Sequence, residues 1–332
     1  MTARAKATRS ALLFGALALL GCDGASRQAV GGADRVIVIA EDSLWNAIGD
    51  SLMAVLEPRV FTVRDERTFE VTRFSPFDPV WRDRRMFRNV LVIGPADAAW
   101  VEPVLGAGSA QDVNGVVQAR DVWARNQRVT ALVAADANAA LTRAPLAAAA
   151  IDSVFRADVL RRMYTSSPDT LLRDTLRATH GFGILLPQVY ASLAREPGLV
   201  LYQNSTSVGG DLVRSVLITF RDGSQTPTQE AALAWRDSIG ASAYRPPHTT
   251  DREHLRSAPV SVHGSDGIEV QGVWAGNDPS WPTGGPFLTR MMTCPARNRT
   301  YLLDAWVFAP GPNRSKYEYL IQLHTILNTF EC

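Results

Sequence analysis

Three short motifs in this chain carry the side chains that a serine hydrolase needs. Gly49-Asp50-Ser51-Leu52 offers a serine hydroxyl as nucleophile, and Asp251-Arg252-Glu253-His254 offers a carboxylate that could orient a histidine base. The asparagine of Gly276-Asn277-Asp278 could donate a hydrogen bond to an oxyanion. Such groups catalyse acyl transfer only when the fold brings them into contact, so their order and the elements that carry them are decisive.

The same motifs resemble those of GDSL-type esterases, but their order differs. In that family the nucleophile directly follows the first strand, and the Asp-x-x-His pair closes the chain. Ser51 is predicted instead inside a helix, about ten residues after the first strand, and His254 lies 78 residues before the C-terminus. The asparagine block also follows the Asp-x-x-His pair instead of preceding it. We therefore predict no catalytic residue and retain a GDSL-like envelope hydrolase only as the weakest alternative.

Metal and phosphate sites have no signature in the sequence. The histidines form no i, i+4 pair and have no acidic cluster at ligand spacing, and His324 is expected to pack or to be solvated. The glycine pairs lack the Lys-Ser/Thr or the helix start that aims backbone amides at a phosphate. We therefore predict no metal and no cofactor. The other histidines are His180, His248, His254 and His263, and the glycine pairs are Gly209-Gly210 and Gly284-Gly285.

The segment from Gly272 to Phe287 is the best candidate for a binding surface. It joins two predicted strands and contains two tryptophans, three prolines and four glycines, so it should hold one shape and present aromatic rings. We favour the interpretation in which Trp274 packs in the core and Trp281 covers one end of the sheet, and the segment is then only the best available hypothesis for a site. The candidate binding residues are Trp274, Asn277, Asp278, Trp281, Gly284, Gly285 and Phe287.

Alternating strands and helices predict an α/β domain over residues 35–175, with a mixed sheet covered by helices. Asp42 or Ser43 should cap the first helix. The alanine-rich stretch 138–164 should be helical with an interruption at Pro145. Strands are predicted at residues 36–40, 68–74, 90–93 and 129–134, and further helices at 43–56 and 79–87.

The second half, residues 176–332, is predicted to be an α+β domain. Its strand-like segments are separated by turns instead of helices, which predicts an antiparallel sheet packed by helices at 228–239 and 316–330. The predicted strands are 181–187, 199–204, 215–221, 268–275, 287–293 and 301–308.

The N-terminus has the pattern of a bacterial lipoprotein signal. Three basic residues precede an apolar run from Ala11 to Leu20, which is too short to span a bilayer, and the run ends in Leu19-Leu20-Gly21-Cys22. Residues 1–21 are therefore predicted to be a signal peptide, with Cys22 as the acylated mature N-terminus. An ordinary secretory signal is the alternative. Residues 22–34 are small and polar and should form a flexible tether.

Cysteine usage and charge fit an exported protein that does not bind nucleic acid. Besides Cys22 the chain has only Cys294 and Cys332, which could form a disulfide if their Cα atoms come within about 7 Å. Arginine outnumbers lysine 32 to 2, yet the net charge is only +1 and the arginines are scattered along the sequence. No nucleic-acid partner is expected.

Several motifs occur in a characteristic order along the chain. They are Val-Ile-Val-Ile-Ala-Glu-Asp-Ser-Leu-Trp-Asn at 36–46, Arg-Asn-Val-Leu-Val-Ile at 88–93, Ala-Arg-Asp-Val-Trp-Ala at 119–124, Gly-Val-Trp at 272–274, Gly-Gly-Pro-Phe at 284–287 and Leu-Asn-Thr-Phe at 327–330. Together they resemble the bacterial lipoprotein family known as domain of unknown function 4837. The resemblance spans nearly the whole mature chain but implies no activity, because that family has no assigned substrate or catalytic residues.

The second half has Gly-Phe-Gly-Ile-Leu-Leu-Pro at 181–187 and an amphipathic helix at the end of the chain. In these features it resembles the photosystem-accessory and Ran-binding Mog-type fold, which is a likeness of architecture alone.

These observations together predict a non-enzymatic binding or scaffold protein of the cell envelope. Acyl chains on Cys22 would hold it on the cell membrane or the outer membrane, facing the periplasm or the surface. Its partner would be an envelope protein or a small ligand. A small-ligand carrier, which would need a deep apolar cleft, is the main alternative.

Overall fold

The computed structural model describes residues 27–62, 65–206, 211–278, 280, 283–311 and 315–332. The predicted signal peptide, Cys22, Gly209-Gly210 and Trp281 lie outside these residues. Among the helices that the structure describes, none combines the length and the apolarity needed to span a bilayer.

The first domain is built on a six-stranded mixed sheet. The strand order is β4-β1-β5-β8-β7-β6. Strands β4, β1, β5 and β8 are parallel, β7 is antiparallel to β8, and β6 is antiparallel to β7. A separate hairpin is formed by β2 and β3. The elements are β1 Arg35–Ile39, α1 Asp42–Leu56, β2 Arg59–Val60, β3 Glu66–Arg67, β4 Glu70–Phe74, α2 Trp81–Arg84, β5 Asn89–Gly94, α3 Glu102–Leu105, β6 Gln111–Val113, β7 Val116–Arg120, β8 Arg128–Val133 and α4 Ala137–Met163.

Both faces of this sheet are covered, which explains the continuous apolar runs in its central strands. Val36 and Val38 face a core shared with α1 and α4, whereas Ile37 and Ile39 face a second core with Trp100 and its neighbours. The hairpin strands β6 and β7 are absent from the sequence prediction.

Two predictions about the first-domain helices are wrong. Helix α4 runs unbroken through Pro145, because Ala144 and Ala147 pack in the core on one side while Pro145 projects into solvent. Neither Asp42 nor Ser43 caps α1: the N-cap residue is Glu41, and no side chain caps the helix. The Asp42 carboxylate instead pairs with Arg73 of β4.

The second domain is built on a seven-stranded antiparallel sheet in the order β12-β13-β14-β15-β11-β10-β9. Helix α6 packs on one face, and α5 and α7 pack on the other. The elements are α5 Thr170–His180, β9 Ala191–Glu196, β10 Leu199–Thr206, β11 Leu212–Asp222, α6 Gln229–Ser242, β12 His248–Val262, β13 Ser265–Gly276, β14 Gly284–Cys294, the 3₁₀ turn Pro295–Arg297, β15 Arg299–Phe308 and α7 Tyr317–Leu327.

The strand predicted at 181–187 is an irregular segment that packs across the face of the sheet. Phe182, Ile184 and Leu186 all pack in the core with residues of α5 and α7. The sequence therefore shows the period of two that is typical of a strand, although the segment does not form a strand of the sheet. Strand β12, by contrast, is missing from the prediction because most of its fifteen residues are partly or fully exposed.

Covalent and polar contacts tie the end of the chain to both domains. Cys294 and Cys332 form a disulfide, with their Cα atoms 6.2 Å apart. Tyr317 of α7 stacks on Phe155 of α4, with ring centroids 5.7 Å apart, and its hydroxyl donates to Asp152 at 2.5 Å. Helix α7 therefore packs against both domains.

Candidate functional site

A pocket of about 420 Å³ opens at the amino-terminal ends of the parallel strands in the first domain. Ala33 lies just before β1 and Asn89 begins β5, while Arg120 ends β7, Arg128 begins β8 and Asn126 lies in the turn between them. One side of α4 closes the pocket. We call this site the arginine pocket, and its remaining lining residues are Val154, Phe155, Ala157, Asp158 and Arg161.

Two of its arginines are direct neighbours across an antiparallel ladder. Arg120, the last residue of β7, pairs in register with Arg128, the first residue of β8. Like charges at directly opposed positions destabilise a sheet. Burial lowers the pKa of the Arg128 guanidinium, and the charge of Arg120 lowers it further, whereas Asp121 acts in the opposite direction. The fold thus holds two cations side by side at a cost in stability.

Helix α4 adds a third cation and the pocket's carboxylate. Arg161 pairs with Asp158, and the same carboxylate accepts a hydrogen bond from Arg162 Nε at 3.0 Å. Asp158 is thus shared between two arginines of its own helix. The lining retains more positive than negative charge.

Hydrogen-bonded side chains hold the turn that joins Arg120 to Arg128. Gln127 is fully buried, and its Nε2 donates to the carbonyl oxygen of Phe87 at 2.7 Å while its Oε1 accepts from the Trp123 amide at 3.0 Å. At the neighbouring wall, Asn89 Nδ2 donates to the carbonyl oxygen of Ala33 at 2.6 Å. These bonds fix the backbone from which the guanidinium groups project.

The chemistry that follows is anion recognition. A guanidinium is a planar fork that matches the two oxygens of a phosphate or a carboxylate. Val154, Phe155 and Ala157 give the same pocket an apolar wall. The site therefore suits a ligand with an anionic group and an apolar part.

A second pocket, of about 280 Å³, lies at the carboxyl ends of β1, β5 and β8, where open α/β sheets usually bind ligands. Three of its polar side chains are already engaged or acidic. Asp136 caps α4 by accepting from the Ala139 amide at 2.8 Å, and Trp100 Nε1 donates to the carbonyl oxygen of Ile93 at 3.0 Å. Glu41 adds another carboxylate. This pocket is the weaker candidate.

The predicted binding loop divides between core and surface. Trp274, in β13, is 2 % exposed and stacks on His248 with ring centroids 3.9 Å apart. Phe287 is also buried, and Gly284 and Gly285 lie in β14, where the carbonyl oxygen of Val307 leaves no room for a side chain at Gly285. Asn277 and Asp278 are exposed between the strands. The described residues of this segment form no continuous binding surface.

The hydrolase motifs lie on different elements. Ser51 is exposed on α1 of the first domain, whereas Asp251 and His254 lie on β12 of the second, with Asp251 Oδ2 and His254 Nδ1 2.8 Å apart. No hydrogen bond joins Ser51 to either residue within the described ranges. The Glu253 amide and His254 together lower the pKa of Asp251. In the described part of the chain, no group of three or more His, Cys, Asp and Glu residues could hold a metal ion.

Arg120, Arg128 and Arg161 were not singled out by the sequence reasoning. The first two are eight positions apart and join only when β7 and β8 pair, and Arg161 follows 33 positions later. No motif spacing links these three arginines, and the sequence does not distinguish them from the other arginines of the chain.

Comparison with known families separates the two domains. Residues 169–329 match the family described as domain of unknown function (DUF4837). The second domain belongs to the DUF4837 family. Residues 29–167 match another family, domain of unknown function (DUF8532). The motifs at 36–46, 88–93 and 119–124 therefore lie in the DUF8532 region, as does the arginine pocket, outside the DUF4837 domain.

Solved structures resemble parts of the chain at low identity. The Ran-binding protein Mog1p of Saccharomyces cerevisiae is 9 % identical, with 45 % of this chain and 89 % of that chain covered and a TM-score of 0.31. A protein of Bacteroides thetaiotaomicron is 10 % identical, with 46 % and 44 % covered and a TM-score of 0.27. No match to the chain was found among curated proteins. No ligand of the DUF4837 domain is inferred from these likenesses.

Proposed function

We propose that this protein is an exported, membrane-anchored binding protein whose arginine pocket takes an anionic ligand. The observation that carries the proposal is the cross-strand pair of Arg120 and Arg128. Two cations at opposed positions repel each other, and a bound anion relieves that repulsion. The volume of about 420 Å³ is typical of a small-molecule site.

Binding fits this pocket better than catalysis. Its one carboxylate, Asp158, is engaged by Arg161 and Arg162, and the other described lining residues offer no nucleophile or histidine base. A role in ligand capture or transport therefore accounts for the geometry without a chemical step. The GDSL-like hydrolase has no support from this pocket.

Export and anchoring rest on the sequence. The apolar run that ends in Leu19-Leu20-Gly21-Cys22 supports a lipoprotein signal, and a diacylglycerol on Cys22 would supply the chains that stable anchoring needs. The folded part would then work in the cell envelope within reach of a membrane.

Titration calorimetry of the full chain with inorganic phosphate and with citrate tests the proposal. Arg128→Gln should weaken anion binding by about 10-fold or more, because charge-assisted hydrogen bonds contribute about 1.5–3 kcal/mol. Asp158→Asn should strengthen binding several-fold, since it frees Arg161 and Arg162 from their carboxylate.

The matched control is Arg195→Gln, which removes the same charge from an exposed position on β9 of the second domain. It should leave the affinity unchanged. Equal affinities in wild type, Arg128→Gln and Asp158→Asn, or no binding of either anion, would refute the proposal.

A further inference from the structure

The chain enters the first domain beside the arginine pocket. The Ala29 amide donates to the carbonyl oxygen of Arg125 at 2.9 Å, and the Arg125 amide donates to that of Arg27 at 2.9 Å. These bonds pair the entering segment with the β7–β8 turn, whose Asn126 and Arg128 line the pocket. A few residues later, Ala33 of the same segment forms part of the pocket wall.

The short segment between Cys22 and Arg27 limits the distance between the predicted anchor and the edge of the first domain. Arg27 is five positions after Cys22, and a fully extended chain spans at most about 3.6 Å per residue, so the distance between the two residues is at most about 18 Å. An acylated Cys22 therefore keeps this edge of the sheet close to the phosphate layer of the membrane.

Further cations surround the entry point. Arg27 and Arg125 are exposed, and so is Arg85, whose carbonyl oxygen accepts from the buried Gln127 side chain that also holds the turn. Basic residues next to a bilayer are attracted to anionic lipid headgroups. The membrane-near edge of the first domain is thus rich in positive charge.

We propose that the anion held by the arginine pocket is the phosphate group of an anionic phospholipid from the membrane that carries the anchor, an inference that rests on the proposed function. The guanidinium groups of Arg120, Arg128 and Arg161 bind the phosphate oxygens. The apolar wall of Val154, Phe155 and Ala157 contacts the glycerol and the first acyl carbons. A free phosphate would leave that wall in contact with water.

The test uses the full lipidated chain, purified in a neutral detergent and titrated with three probes. These are dihexanoyl-phosphatidylglycerol, dihexanoyl-phosphatidylcholine and inorganic phosphate. We expect the phosphatidylglycerol to bind at least 10-fold more tightly than phosphate, and the phosphatidylcholine to bind at least 10-fold more weakly than the phosphatidylglycerol. Arg128→Gln should weaken the binding of phosphatidylglycerol by 10-fold or more, whereas Arg195→Gln should not change it.

A second measurement localises the lipid. In nanodiscs that contain phosphatidylglycerol, the amides of residues 120–128 and 154–161 should exchange hydrogen more slowly than in discs of phosphatidylcholine alone. Phosphate binding that depends on Arg128, with no tighter binding of phosphatidylglycerol, overturns the lipid inference and leaves the proposed function standing. Binding of phosphatidylglycerol that survives in Arg128→Gln also overturns the inference. Failure of every anion to bind overturns both proposals.

Discussion

Replacing Asp304 by asparagine should strongly destabilise the second domain. Asp304 lies in β15 with its side chain fully buried, as is its partner Arg236 of α6, and Arg236 Nε donates to Asp304 Oδ1 at 3.0 Å. The other carboxylate oxygen accepts from the Tyr244 hydroxyl at 2.7 Å, and Thr289 also donates to Asp304. Asparagine keeps the shape and removes the charge, which leaves the guanidinium buried without a counter-ion.

Two estimates agree on the size of this effect. Two unit charges about 4 Å apart attract by about 4 kcal/mol at an effective dielectric constant near 20. Removal of one member of a buried ion pair typically costs about 3–5 kcal/mol. We therefore expect Asp304→Asn to lower the free energy of unfolding by about 4 kcal/mol.

Urea denaturation followed by tryptophan fluorescence measures the change, because Trp274 and Trp306 pack in the same core as Arg236. The double variant Arg236→Met with Asp304→Asn should recover more than half of the loss, since it removes the unpaired charge. Asp222→Asn is the matched control: Asp222 pairs with Arg299 at 2.9 Å but is 82 % exposed, so the change should stay below about 1 kcal/mol. A loss under about 1 kcal/mol for Asp304→Asn, or a double variant no more stable than the single one, would refute the reasoning.

Two more predictions concern the second domain. Burial lowers the pKa of His248 from 6.5 to about 3, with a smaller contribution from Arg236, so the unfolded chain binds the extra proton first as the pH falls. Stability should therefore drop by about 2 kcal/mol between pH 7.5 and 5 in urea denaturation, and His248→Phe should flatten that slope; parallel slopes would contradict the assignment. Reduction of the Cys294–Cys332 disulfide, which spans 38 positions, should lower the free energy of unfolding by about 4 kcal/mol, whereas a double alanine variant should not respond to reductant.

Much of the fold could be predicted from local patterns. Continuous apolar runs such as Val36–Ile39 identify strands buried on both faces, because such a strand needs apolar side chains in both directions. Helices α1, α6 and α7 follow from apolar residues at helical spacing. Elements whose two faces do not differ in hydrophobicity could not be predicted in this way. Strand β12 is the clearest example, since its largely exposed side chains show no alternation of apolar and polar residues.

Local sequence determined the two fold classes and the candidate disulfide, because propensity and periodicity act over a few residues. It also supplied every arginine of the pocket, without indicating which of the 32 belong together. Only the tertiary structure decided that Arg120 and Arg128 face each other across β7 and β8, and that Arg161 of α4 joins them. It also decided between the two interpretations of Trp274, which lies in the core. Strand register and helix packing bring distant residues together, and neither is encoded in the spacing between them.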